Sequence, residues 1–509
     1  MAANRGSGES AGARALGLAL GLTAALTALR VWVLFASPLD LYPDEAQYWV
    51  WSRALAAGYF SKPPLVAWAI AATTALGGDA EPFVRLAAPL FQAGAMLCAF
   101  ALGRRLYGPW AGLAGAALYA LAPAVQLSSA VIATDAPLVF FLGLALIGYA
   151  ALPAAAGGRK LAWAALLGAA AGLALLSKYA AIYLLAGAAL HLALSPAARR
   201  AWTPAAGALA LAGALAILGP NLAWNAAHSF ATFHHTVADA DWDRGELVNP
   251  AGLGRFVLEQ ALIFGLIPAG ALALAAVRAA RWRRFEEADL MLGCFAAAPL
   301  VIVAAQAFIS RANANWAAAA YLPGAVLAGG LLVRWRAHRW LWAALTLQAL
   351  GAAAFIAIVV SPRAAALAHA DNSFKRVRGW RETAALVLDR ASAEQAAGGL
   401  SAVAVDNRFL FHELAYYGRE RFADPRNPPL RAWLAEARPQ NQAELAAPLT
   451  PALGRRVLVA SYEGWRAADV AGDFRRTSPP ATEQIRLDPR HQRRIVMFVG
   501  EDLAPKPRH

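Results

Sequence analysis

The stretch LYPDEAQYWVWSRALAAGYFSKPPLVAW, residues 41–68, sets an acid pair, an aromatic run and a Lys-Pro-Pro step between two of the most apolar parts of the chain. Pro43 disfavours helix just before it, so Asp44 and Glu45 fall in the first turn of a short helix. Carboxylates there are favoured by free backbone N–H groups and by the helix dipole. One reading of the pair is therefore a helix cap. The other takes the stretch as one site, with Asp44 as general base and Glu45 beside it, Tyr48 on an aromatic shelf for substrate, and Lys62 as receptor for an anion. Pro63 and Pro64 stiffen the turn that carries this lysine, whose ammonium is a point charge suited to phosphate. Snorkelling to lipid head groups is the plain alternative for Lys62.

The rest of the chain favours the second reading. Of 509 residues, 59% are hydrophobic and only 15% charged, which is too apolar for a soluble enzyme. Cys98 and Cys294 lie inside apolar segments and imply no disulfide framework. The net charge of +14 is spread in small clusters between apolar segments, so it points to a membrane and not to nucleic acid. The N-terminal apolar run to Phe35 is too long for a signal peptide and reads as a first spanning helix.

A bilayer core of about 30 Å needs roughly 20 apolar residues per helix. On that template eleven spans are expected, near 14–36, 83–103, 110–131, 136–153, 161–177, 179–195, 203–220, 254–277, 289–309, 316–333 and 340–361. The apolar segment 65–77 is short and follows Pro-Pro, so it is expected to be re-entrant or interfacial. With a cytoplasmic N-terminus, the inside connections hold Arg104 and Arg105, Arg159 and Lys160, Arg199 and Arg200, the group Arg278, Arg281, Arg283 and Arg284, and finally Arg334, Arg336 and Arg339. Every one is basic, as the positive-inside rule requires. An odd number of spans then sends the C-terminus to the other side.

The same arithmetic gathers the unusual polar residues on the non-cytoplasmic face. Asp135, at the mouth of a span in SSAVIATDAPLVFF, either caps that helix or supplies a second carboxylate, which would orient a nucleophile or help hold a divalent cation. Lys178 interrupts two apolar runs in LLSKYAAIYLL, as a turn residue or as a cation for a lipid head group or sugar phosphate. The loop expected over 221–250 offers Trp224 and Asn225, whose aromatic face and amide suit sugar hydroxyls. Its adjacent His234 and His235 lack helical metal-site spacing. Asn315 lies in the RANANW stretch on the same face.

After Ser361 the composition changes: 40 of the 78 Asp, Glu, Lys and Arg residues fall in 363–509, so this part is expected to be soluble. Strands are expected at 400–407, 455–461 and 493–500, with helix at 409–417 and around Trp433, giving a small α/β domain. The fold class is thus an all-α polytopic membrane domain, residues 1–361, followed by a small soluble α/β domain, 362–509.

The acid pair with its KPP step, the aspartate of ATDAPLVFF, the WN pair of NLAWN and the stretch NANWAAAAYLPG together resemble the bacterial dolichyl-phosphate-mannose-protein mannosyltransferase family. This belongs to the GT-C group of membrane glycosyltransferases that includes lipid A aminoarabinose and Rgt-type galacturonic acid transferases. The resemblance covers roughly residues 14–361. It implies a polyprenyl-phosphate-linked sugar as donor, a lipid, glycan or protein acceptor, and catalysis on the outer face of the bacterial cytoplasmic (inner) membrane, with the C-terminal domain periplasmic. It also implies Asp44 as catalytic carboxylate with Glu45 beside it, Asp135 as the second acidic motif and Lys62 on the donor phosphate. Beside these, the residues themselves place Lys178 at the donor phosphate and Tyr48, Trp224, Asn225 and Asn315 about the substrates. Many relatives of the aminoarabinose branch carry Glu before Lys-Pro where this chain has Ser61, so the resemblance leaves that branch's sugar specificity open. A phosphate leaving group needs its charge neutralised, not a proton, and direct displacement would invert the anomeric centre. The rival readings are a transporter or lipid flippase and a surface-polysaccharide polymerase or ligase. Against the first stand the lack of an internal repeat and the placing of polar motifs at span edges on one side.

Overall fold

The computed structural model describes residues 2–238, 241, 248–282 and 286–508. Arg283, Arg284 and Trp242 lie outside the described residues, as does the side chain of Arg5. The chain forms two compact units. The first comprises Met1–Ala36, Lys62–Ala69 and Arg85–Ile356; the second comprises Ser37–Ser61, Ile70–Val84 and Ala357–His509.

The first unit is helical. Among the described residues eight helices are long and apolar enough to cross a membrane, or up to ten if each of two bent pairs counts as one span. The expected span 110–131 is the pair Pro109–Leu121 and Pro123–Ala130, bent by 59°. Ala122 between them is extended at ψ 137° because the residue before a proline avoids helix. The expected span 254–277 is the pair Pro250–Phe264 and Leu266–Arg281, bent by 116° at Gly265, whose φ of 108° excludes most side chains. The expected span 179–195 is a shorter apolar helix, Tyr179–Leu194, and Leu65–Gly77 is likewise a short apolar helix. A further correction concerns 221–250: helix Pro204–Ala227 continues through Asn221, Trp224 and Asn225, and Ala231–Ala238 forms another helix.

Small residues bring these helices together, as they must where lipid supplies no hydrophobic drive for helix association. A Cβ on Gly329 would lie 2.4 Å from the backbone nitrogen of Gly115, and one on Gly103 only 2.7 Å from the Cα of Gly112. Buried alanines dominate the core, whereas Leu211, Leu258, Trp342, Leu347 and Leu350 stay exposed, as suits lipid contact. Arg30, inside the first span, is buried and donates to the Ala120 carbonyl at 2.6 Å.

The second unit is built on a six-stranded sheet: β1 (Ala402–Val405), β2 (Leu430–Ala432), β3 (Arg456–Tyr462), β4 (Phe474–Thr477), β5 (Ala481–Arg486) and β6 (Gln492–Leu503). The order is β2-β1-β3-β6-β4, with β5 also on β6; β1 is parallel to β2 and β3, and β6 antiparallel to its neighbours. The strands expected near 400, 455 and 493 are β1, β3 and β6. Strand side chains alternate faces, and here both faces are covered. Leu458 and Ala460 pack with Trp380, Leu410 and Leu414 on one face, and Val457 and Val459 with Trp433, Leu449 and Phe498 on the other. Trp433 is not in the expected helix: it directly follows β2 and donates its indole N–H to Asp473 at 2.7 Å.

Candidate active site

Within the second unit, helix Pro43–Ser52 begins where the sequence places it, after Tyr42 at ψ 144° with Pro43 at the first helical position. The acid pair divides its work. Glu45 is fully buried, and its Oε2 accepts the N–H of Tyr42 at 2.8 Å, closing the helix start. Asp44 is left for other work. Its side chain is 37% exposed, and Arg408 Nη1 donates to its Oδ1 at 3.2 Å and to Gln47 Oε1 at 2.8 Å. Residues three apart on a helix share a face, so Asp44 and Gln47 together hold one guanidinium.

Arg408 is itself set firmly. It opens helix Arg408–Tyr417, whose cap Asn407 accepts the Phe409 N–H at 2.8 Å, and its guanidinium lies 4.5 Å above the Phe409 ring. The Arg408 carbonyl faces His412 Nδ1 at 2.7 Å. Burial, reinforced by the Arg408 charge, pushes the His412 imidazole down to about 3, so the ring is neutral and its Nδ1–H is the donor. Asp40, in the segment that leads into helix Pro43–Ser52, accepts from the Trp380 N–H at 2.7 Å and from Arg381 at 3.1 Å. Burial raises its carboxyl above the ordinary range, and the Trp380 N–H draws it partly back.

The aromatic run is packed. Tyr48 is buried with its ring 5.3 Å from that of Trp51, and Trp51 stacks on Tyr59 at 4.6 Å. Trp49 donates to Asp79 at 2.8 Å and meets Tyr416 edge-on. These rings fix the helix that presents Asp44.

Within the first unit three of the expected residues meet. Lys178 Nζ lies 2.7 Å from Asp135 Oδ1, and Asn315 Nδ2 donates to Asp135 Oδ2 at 2.9 Å. Asp135 is the first residue of helix Asp135–Ala151, but its carboxylate is turned to these partners; the cap residue is Thr134. Lys178 is the extended residue, φ −160° and ψ 134°, that ends helix Gly157–Ser177, which lets its side chain leave the helix line. Both side chains are mostly buried, at 16% and 11% exposed, so neither charge is strongly screened by water. Next to Lys178, Tyr179 donates to Asn221 Oδ1 at 2.7 Å and accepts from Asn225 Nδ2 at 3.0 Å. Asn225 is fully buried, so its amide sets Tyr179, while Trp224 stacks on His228 at 4.0 Å. Lys62 is half-buried and belongs to this unit, ahead of helix Leu65–Gly77.

An apolar cavity of about 960 Å³ runs among Leu190, Val257, Phe264, Leu272, Leu300 and Leu327. Gln260 and Tyr321 line it too, joined at 2.9 Å, and Gln260 also donates to the carbonyl of Ala314, the neighbour of Asn315, at 3.0 Å. The cavity therefore reaches, through one residue, the group that holds Asp135 and Lys178. Among the described residues no group of three or more His, Cys, Asp and Glu is arranged to hold a metal ion. The Asp135 carboxylate is already matched by Lys178.

Sequence reasoning missed Arg408, Tyr179 and Asn221. Tyr179 adjoins the Lys178 motif and Asn221 opens the NLAWN motif, whereas nothing near Arg408 marks it.

The family described as dolichyl-phosphate-mannose-protein mannosyltransferase matches residues 61–224. The lipid A galacturonosyltransferase RgtD of Rhizobium johnstonii is 34% identical over 400 residues, 77% of this chain and 81% of that protein. Among solved structures, ArnT from Cupriavidus metallidurans is 19% identical and shares the fold over 96% of this chain and 99% of its own, with a TM-score of 0.63 in the apo state and 0.62 bound to undecaprenyl phosphate. With a helical membrane unit, a small sheet unit and a relative this similar along most of both lengths, the chain belongs to the GT-C family of membrane glycosyltransferases.

Proposed function

We propose that this glycosyltransferase moves a sugar from a polyprenyl-phosphate donor to lipid A or a similar lipid acceptor at the outer face of the bacterial inner membrane. The observation that carries the reading is the mostly buried Lys178–Asp135 pair, joined by the exposed Asn315, whose neighbour Ala314 is bonded to Gln260 in the wall of an apolar cavity of about 960 Å³. A cation beside an apolar cavity is what a phosphate esterified to a long isoprenoid requires. Undecaprenyl phosphate bound to ArnT and the lipid A substrate in the name of RgtD support the two substrates, and galacturonic acid is the first sugar to test. The basic connections support an N-terminus in the cytoplasm and the second unit outside it.

In this reading an acceptor hydroxyl attacks the anomeric carbon of the donor. The new C–O bond forms as the bond to the phosphate oxygen breaks, and the electron pair leaves with the polyprenyl phosphate. The hydroxyl proton passes to Asp44, which Glu45 frees from capping. Lys178 and Lys62 neutralise the departing phosphate, so no general acid is needed, and Asp135 and Asn315 hold Lys178 in place. Displacement in one step inverts the configuration.

The purified protein, given undecaprenyl-phosphate galacturonic acid and lipid A, should release undecaprenyl phosphate and yield lipid A one uronic acid heavier, with inverted linkage. Absence of product with this and other polyprenyl-phosphate sugars would sink the proposal. A product only on glycan or protein would redirect it to those acceptors.

A further inference from the structure

The sheet of the second unit holds a polar cavity of about 410 Å³ that the reaction above does not use. Its place follows from the strand order. β1 lies between β2 and β3 and is parallel to both. The link from β1 to β2 runs over one face, where helix Arg408–Tyr417 packs with Trp380. The link from β2 to β3 returns over the other face, beneath Trp433 and Leu449. The two links leave the carboxyl ends of β1 and β2 towards opposite faces, and a crevice must open at that edge of the sheet; in open α/β sheets this is where ligands bind.

The lining suits a hydroxyl-rich ligand. Residues just beyond β1 supply Asp406 and Arg408, the end of β3 supplies Tyr462 and the turn after it Trp465, and the returning link supplies Gln440, Asn441 and Glu444. Asp406 is committed to the frame, accepting from the Ser461 hydroxyl and from the Tyr462 N–H at 3.0 Å. Asn441 and Glu444 are joined at 2.7 Å, which holds amide and carboxylate edges at the wall. Trp465 is 72% exposed and stands edge-on to Tyr462 at 5.6 Å, a large aromatic face left open beside polar groups. Three carboxylates and two guanidinium groups line or rim the space, so it carries no excess of positive charge that would favour a phosphate. Arg408, in its wall, is the residue that also holds Asp44 and Gln47.

We propose that this cavity binds the saccharide of the acceptor, with Trp465 stacking on a sugar ring, the Asn441–Glu444 edge taking its hydroxyls, and Arg408 joining the bound sugar to the helix of Asp44. The identification of the sugar as the acceptor's rests on the function proposed above; the cavity as a saccharide site does not.

Two measurements on the full-length protein in micelles test it. The first titrates β-1,6-linked glucosamine disaccharide, by saturation-transfer NMR, into wild type, Trp465→Ala and Trp465→Phe. Truncating an aromatic anchor is expected to weaken binding about tenfold or more, with Phe restoring most of it. Equal binding by wild type and Trp465→Ala, no binding by either, or displacement of the disaccharide by inorganic phosphate overturns the site. The second measures sugar transfer at varied lipid A and varied donor. Trp465→Ala should raise the acceptor KM about tenfold while kcat and donor KM hold, since stacking that is equal in ground and transition states acts on KM alone. An unchanged acceptor KM with normal transfer overturns the acceptor assignment. If wild type makes no product yet binds the disaccharide through Trp465, the proposed function fails and the saccharide site stands.

Discussion

Arg408 Nη1 lies 3.2 Å from Asp44 Oδ1 although 364 residues separate them in the chain. The carboxylate expected to act as base is therefore met by a cation from the soluble part of the chain, while its neighbour Glu45 takes over the capping that either acid could have done. A charged pair more than a third exposed on both sides contributes only about 0–1 kcal/mol to stability. Its worth lies in orientation.

Asp44→Asn should fold and stay monodisperse, because the cap belongs to Glu45. Loss of a general base costs about 10²–10⁴-fold in rate, so turnover with lipid-linked donor should fall by that factor while donor binding persists. Retention of more than about a tenth of wild-type turnover, less than the smallest such loss, would remove Asp44 from the base role. Glu45→Gln, by contrast, should lower the melting temperature, since it weakens a buried cap.

Lys178→Ala leaves the Asp135 carboxylate largely buried without its cation. Removing one partner of such a pair is costly, up to about 3–5 kcal/mol when burial is complete, so the variant should melt earlier than wild type as well as bind donor more weakly. Asp135→Asn with Lys178→Met should recover stability but not donor affinity. Recovery of both would make the pair purely structural. Lys62→Ala is expected to weaken donor binding alone and Lys62→Arg to keep part of it, as charge survives and geometry does not.

Gly329→Val should prevent recovery of folded protein, because its Cβ would meet the Gly115 backbone at 2.4 Å and that backbone cannot swing aside as a side chain tip could. Gly351→Ala, with nothing within 4 Å of the added carbon, should be neutral in yield and melting temperature. Comparable yields for the two variants would contradict the close helix contact.

His412 supplies a pH dependence. Its folded value of about 3 lies below the ordinary 6.5, so between the two the unfolded chain holds a proton the folded chain lacks. The stability this neutral ring contributes is complete above about pH 6.5 and falls, by about 1.4 kcal/mol per pH unit, as pH drops towards 3. Melting curves of wild type against His412→Gln should diverge in slope across that window and run parallel above it. Parallel curves throughout would mean the ring takes up its proton without penalty.

Much of this architecture is written locally in the chain. Apolar length marks the spans, Pro43 marks the helix of Asp44, and the runs around Val403, Val457 and Ile495 mark the central strands, because each depends on neighbours a few residues away. The bends at Ala122 and Gly265 were less legible: a proline or glycine in an apolar run announces a break without saying whether the chain continues across. Asn221 and Asn225 read as loop because polar residues after a long apolar run usually end a helix, and here Tyr179 holds them in one. Arg408 could not be read at all, since one arginine among many in a basic, soluble stretch has nothing local to distinguish it.

The second unit is assembled from three separate pieces, Ser37–Ser61, Ile70–Val84 and Ala357–His509, and this imposes an order on biosynthesis. The ribosome makes the helix of Asp44 first and its partners Arg408, Tyr416 and Tyr417 last, after the membrane helices. Until then Asp40 and Asp44 wait without Trp380, Arg381 and Arg408, and Trp49, already bonded to Asp79, lacks the edge-on ring of Tyr416. A chain stopped early would insert in the bilayer yet lack the Arg408 contact that orients the proposed base, Asp44.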